Sequence, residues 1–226
     1  YAIAHEQNNT DRLAFLFSKY LPFFYVITAT IACFLTVHGD WLAPLIGGDD
    51  FSKAALPVML LGLAPIHQTY GQLSGALMAA TDRTREYGRI SMFMTILGLP
   101  ATYFLLAPET YWGLNLGATG LAIKMVVLQI IGVNIQLWYN TRQLGLKIRN
   151  LLGHQILVVM LFLVFATIGK IIVGTSFGIG IGALLASGML YVMFVATILF
   201  IFPSLISMSR LELLNHIKTP SAFLKS

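Results

Sequence analysis

The stretch LLGHQILVVMLFLVFATIGKIIV, running from Leu151 to Val173, carries one charged side chain, Lys170, near its end. About 20 apolar residues in helical geometry cover the hydrocarbon core of a bilayer, and this run meets that length. Working outward, five further segments do the same. They are Tyr20 to Val37, Ala54 to Ala80, Ile90 to Ala107, Gly117 to Asn140 and Ile179 to Ile206. The breaks between them hold Gly, Pro, Asn, Asp and charge, the ordinary composition of connecting loops. The predicted fold class is all-α, a polytopic membrane protein with a six-transmembrane-helix bundle.

Composition points the same way. Hydrophobic residues make up 57% of the 226 residues and charged ones 10%, and the mean hydropathy is +0.79. A water-soluble domain is about a quarter charged; this chain lacks the polar side chains to cover a soluble surface of its size. The formal net charge of +5 does not indicate a nucleic-acid partner, because the basic residues sit in short breaks between apolar runs rather than on one polar face. The lone Cys33 lies within an apolar run, so there is no disulfide framework.

Basic loops remain on the cytoplasmic side of a membrane. One set of alternate connections holds Arg12 and Lys19; Arg83, Arg85 and Arg89; Arg142, Lys147 and Arg149; and Arg210, Lys218 and Lys225. The other set holds Lys53 and the nearby Lys170, with Asp40, Asp49, Asp50 and Glu109. Both ends of this segment are therefore expected in the cytoplasm, in an inner (plasma) membrane. Trp41, Tyr111 and Trp112 then mark the outer boundary, and Tyr20, Tyr87, Trp138 and Tyr139 the inner one, where amphipathic rings favour the headgroup layer. Three regions follow: a cytoplasmic linker over 1–19, in which Leu13 to Phe17 lies along the inner surface; the bundle over 20–209; and a cytoplasmic tail over 210–226. The start at Tyr1, followed by the polar stretch His5 to Arg12, is neither a signal nor a transit peptide, and further chain is expected to precede it.

No nucleotide-binding loop, H-E-x-x-H or CxxC motif is present, and the acidic residues fall in loops, at span edges or in tails. The expectation is a protein that is not an enzyme and uses no cofactor or metal. Polar residues inside spans are costly in hydrocarbon and mark functional candidates. In the second span, His67 and Gln68 fall near the midpoint, and Gln68, Gly71, Gln72 and Gly75 share one side by 3.6-residue spacing. Two readings stay open: a polar wall lining a cavity, or a close helix contact in which Gly71, Ser74 and Gly75 let backbones approach. In the fourth span, Lys124 lies roughly 7 Å outward of the midpoint at 1.5 Å per residue. It either faces a hydrated cavity and an anionic substrate or packs against a carbonyl or another part of the protein. Gln129 and Gln136 share a stripe, whereas Lys124 is rotated about 140° from Gln129 at 100° per residue. Lys170 is expected to snorkel to the outer boundary, and His154 and Gln155 to lie at the inner one.

The order of these segments resembles the MOP superfamily of exporters, and within it the Wzx-type oligosaccharide flippases. The resemblance rests on Leu45, Gly47 or Gly48, Phe51 and Ala54 or Ala55 in an outer loop, on Leu77-Met78-Ala79-Ala80-Thr81-Asp82-Arg83 at an inner edge, and on Gly117-Ala118-Thr119-Gly120-Leu121-Ala122. It covers most of residues 1–150 and fades over the last two spans. It implies one lobe, the C-terminal half, of a two-lobed MOP-type transporter whose N-terminal six-helix half completes a central cavity. It further implies alternating-access flipping of undecaprenyl-pyrophosphate-linked glycan, with membrane lipid as surroundings and Lys124 as the cavity cation. A drug or cation antiporter of the same superfamily, a membrane glycan polymerase or ligase, and a non-transporting membrane subunit remain as alternatives. The first would call for a buried Asp or Glu, which no span here supplies.

Overall fold

The computed structural model describes residues 1–208. Among them there is helix and turn but no strand. The helices are α1 (Ala2–Glu6), α2 (Thr10–Val37), α3 (Gly39–Gly47), α4 (Ala55–Leu61), α5 (Ala64–Ala80), α6 (Thr84–Leu106), α7 (Gly117–Gln143), α8 (Ile148–Phe177) and α9 (Ile181–Ile201). Short 3-10 turns follow α3, α6 and α9, at Asp49–Ala54, Glu109–Tyr111 and Pro203–Ile206. The tail over 210–226, with Arg210, Lys218 and Lys225, lies outside the described residues.

Among the described residues, five helices are long and apolar enough to cross a membrane: α2, α6, α7, α8 and α9. The expected second span is instead broken into α4 and α5. Pro65 explains the break, because its ring would strike the carbonyl four residues earlier and it has no N–H to donate. That carbonyl belongs to Leu61, the last residue of α4, and Pro65 then sits in the first turn of α5, where a missing N–H is harmless. At the junction, a Cβ on Gly62 would lie 2.6 Å from Thr36 Oγ1 and 2.9 Å from the Thr36 amide nitrogen, so only glycine allows this approach to α2.

Two other boundaries differ from expectation. The helix of the first expected span, α2, begins at Thr10, capped by Asn9 Oδ1 accepting from the Arg12 amide at 2.9 Å. Leu13 and Phe17 are buried in it rather than lying along a surface. The helix of the sixth expected span, α9, ends at Ile201, since Pro203 cannot continue it, and 203–206 form a 3-10 turn.

The helices pack in the order α6, α7, α5 with α4, α2, α8, α9, each against the next. α2 is the spine. Its Phe17, Leu21, Tyr25, Ala29 and Cys33 recur every four residues and are fully buried. They form one cluster with Ile66, Tyr70 and Leu77 of α5, Val158, Phe162 and Ala166 of α8, and Tyr191 and Val195 of α9. The outer faces are apolar and open. On α6 these are Met92, Phe93, Ile96, Leu99 and Phe104, and on α8 Ile156, Leu157, Met160, Val164 and Ile171. Apolar exposure of this extent marks contact with lipid or another protein surface.

Contacts tie the connecting segments together at each end of the bundle. At one end His5 meets Asp82 at 3.5 Å, Arg83 lies over the Tyr139 ring, and Ser207 Oγ donates to Ser18 O. The basic connections are thus gathered together. At the other end Asp40 meets Lys170. The turn between α5 and α6 places Asp82 at φ +58°, a left-handed conformation that Asp, Asn and Gly tolerate best.

Candidate functional site

α5 has two unlike faces. Ile66, Tyr70, Ser74, Leu77 and Met78 are buried, whereas Gln68, Gln72, Ala76 and Ala79 form an exposed stripe. The glycines of this helix face neighbours: Gly71 abuts the Val133 side chain, and Gly75 abuts the Tyr87 ring. Ser74 is fully buried and its carbonyl accepts from Asn140 Nδ2 at 3.1 Å. Close helix contact and open polar surface, set against each other as readings of the sequence, therefore occur side by side on one helix. Gln72 lines a cavity of about 410 Å³ with Gly71, Gly75, Ala76, Ala79, Thr84 and Tyr87, between α5 and α6.

His67 is half-buried between these faces, and its Nδ1 is buried with no hydrogen-bond partner among the described residues. Thr69, two residues on, shares a 2.8 Å hydrogen bond with Thr28 and so joins α5 to α2.

On α7, Lys124 and Gln129 occupy different sides. Gly98 of α6 approaches the Lys124 Cε, and Met94 approaches Gly132, so the 124–132 side meets α6. A Cβ on Gly120 would lie 3.0 Å from the Leu105 carbonyl, which requires glycine at this close crossing. Ala122, Val126, Val133, Gln136 and Asn140 are buried on the side that meets α4 and α5, and helical spacing puts Gln129 on that stripe. Lys124 is half-buried and forms neither ion pair nor hydrogen bond among the described residues. No hydrogen bond joins any two of Lys124, His67, Gln68, Gln72 and Gln129, so they are not one cluster. Gln68 and Gln72 alone share an open surface.

Two polar groupings escaped the sequence reading. The first joins α2, α7 and α8: Tyr25 Oη donates to the Gln155 carbonyl at 3.4 Å, and Gln155 Nε2 donates to Asn134 Oδ1 at 3.3 Å. Gln155 is buried within the bundle, and His154 bonds the Leu205 carbonyl through Nε2 at 2.7 Å. The second closes the opposite end. His38 is fully buried, with Nδ1 3.0 Å from the Phe34 carbonyl and Nε2 2.8 Å from Ser187 Oγ. A carbonyl only accepts, so the proton resides on Nδ1 and the serine hydroxyl donates to Nε2. Lys170 does not snorkel freely: its Nζ donates to Asp40 Oδ2 at 2.7 Å and to the Val37 carbonyl at 2.9 Å, over the Trp41 ring.

Among the described residues, no group of three or more His, Cys, Asp or Glu side chains is arranged to hold a metal ion. No protein-family model, curated protein or solved structure matches the chain.

Proposed function

We propose that this chain is one lobe of a transporter that flips a lipid-linked oligosaccharide across the inner membrane by alternating access. In this reading α2, α4 with α5, α6, α7, α8 and α9 make six passes, the basic end faces the cytoplasm, and an N-terminal half of the same protein covers the open face of α5. The chain acts as a carrier and not as a catalyst.

The observation that supports it is the exposed pair Gln68 and Gln72, near the middle of the α4–α5 crossing. Two amides facing lipid at that depth would be costly; a hydrated cavity shared with a second lobe removes that cost. Lys124, without a carboxylate partner, supplies a cation for a phosphate-bearing substrate.

The test is a strain lacking the protein, with the full-length chain returned on a plasmid. Wild type restores surface glycan and clears lipid-linked oligosaccharide from the cytoplasmic leaflet. Gln68→Leu with Gln72→Leu, or Lys124→Ala, inserts normally but restores less. A strain that keeps its surface glycan and accumulates no lipid-linked intermediate when the protein is absent would overturn the reading.

A further inference from the structure

Where α6 begins and α7 ends, Arg83, Glu86, Trp138, Tyr139, Arg142 and Gln143 line a cavity of about 530 Å³. Both guanidinium groups are held by aromatic rings: Arg83 lies 5.9 Å from the Tyr139 centroid, and Arg142 lies 5.7 Å from that of Trp138. A ring face attracts a guanidinium without occupying its N–H donors, which stay free for an oxyanion. Neither arginine forms an ion pair among the described residues. Asp82, adjacent to Arg83 in sequence, is turned to His5 instead. The first turn of α6, starting at this cavity, has no side-chain cap, so its amides add partial positive charge.

We infer that this cavity binds the phosphodiester of an anionic membrane phospholipid. Two guanidinium groups and the Glu86 carboxylate leave one net positive charge, which matches a singly charged phosphodiester better than a pyrophosphate or free phosphate. Trp138 is half exposed, as suits a ring at headgroup depth. The carboxylate of Glu86 and the amide of Gln143 are placed to accept hydrogen bonds from headgroup hydroxyls, favouring a glycerol-bearing headgroup. The site is separate from the Gln68–Gln72 stripe and stands whether or not the chain transports glycan.

The experiment is native mass spectrometry of the full-length protein released from nanodiscs of equal parts dioleoylphosphatidylglycerol and dioleoylphosphatidylcholine. Each arginine near an anionic surface contributes about 1 kcal/mol, and the carboxylate offsets one of them, so retained phosphatidylglycerol should exceed phosphatidylcholine about fivefold. Arg83→Gln with Arg142→Gln should abolish that preference, and Arg83→Lys with Arg142→Lys, which keeps charge but not the planar fork, should weaken it. Arg85→Gln with Arg89→Gln, exposed side chains outside the cavity, should leave it unchanged. The proposal fails if wild type shows no preference, or if the Arg85 and Arg89 variant loses as much. It also fails if inorganic phosphate or pyrophosphate displaces the lipid at equal concentration, because the ligand is then a soluble anion.

Discussion

His38 Nε2 and Ser187 Oγ are 2.8 Å apart, and both side chains are fully buried, so the C-cap of α2 is fastened to the first half of α9 by one hydrogen bond shielded from solvent. Phe34 stacks on the imidazole at 4.1 Å between ring centroids and Trp41 meets it edge-on at 5.3 Å. Ser187→Ala leaves a buried imidazole acceptor without its donor, which costs about 1–3 kcal/mol. Thermal unfolding of the detergent-solubilised protein should show a midpoint several degrees lower. Thr197→Ala, which removes an exposed hydroxyl bonded within its own helix, should shift it much less. Equal shifts for the two variants would show that the His38 bond adds no stability.

Asp40 and Lys170 should respond unequally to neutralisation. Lys170 is 20% exposed at its side chain and Asp40 43%. Asp40→Asn strands a mostly buried ammonium with the Val37 carbonyl, whereas Lys170→Met leaves a carboxylate that water can reach and that still accepts from the Trp41 amide. The first change should therefore be the more destabilising, since an unpaired buried charge is the larger penalty. A double-mutant cycle should return a coupling of about 1 kcal/mol that shrinks with added salt. A coupling near zero at low ionic strength would discard the pair as a stabilising contact.

Gly62→Ala drives a methyl group into Thr36 of α2, and overpacking of this kind costs about 1–3 kcal/mol. Gly153→Ala in α8 meets nothing within 4 Å and should stabilise by roughly 0.5–1 kcal/mol through helix propensity. Chemical denaturation of the two variants side by side is the check. If both stabilise, α4 and α5 do not approach α2 as closely as described.

Cysteine at 68 or 72 should react with a membrane-impermeant maleimide in cells expressing the full-length protein. Cysteine at 93 or 96, on the apolar face of α6, should stay unlabelled. The native Cys33 is fully buried and needs no removal. Unlabelled Gln68→Cys and Gln72→Cys, in protein that inserts normally, would mean that lipid or protein covers this stripe.

The helices were legible because long apolar runs need no partner to be recognised. The faces of α7 were legible too: the turn between Lys124 and Gln129 follows from helical pitch alone, and the two lie on different sides. The break between α4 and α5 was harder to read. Pro65 signals a kink, but a proline in a membrane helix is often absorbed without a break, and here it is the Gly62–Thr36 approach that accompanies the interruption. The Tyr25–Gln155–Asn134 chain and the His38–Ser187 bond were out of reach. They join residues 130 and 149 positions apart in the case of Tyr25–Gln155 and His38–Ser187, and only the packing order of helices brings them together. Lys170 was judged by its depth, although Asp40 lay at the matching depth across the bundle.

The interface between α5 and α7 has a different character from the α2–α9 fastening. Ser74 Oγ, Gln136 Oε1 and Asn140 Oδ1 are buried there without hydrogen-bond partners among the described residues. Parting α5 from α7 would let these atoms bond to water but would forfeit the Asn140–Ser74 bond, while parting α2 from α9 forfeits the His38 bond and its ring contacts. A water molecule admitted between α5 and α7 would therefore find polar atoms waiting to bond it.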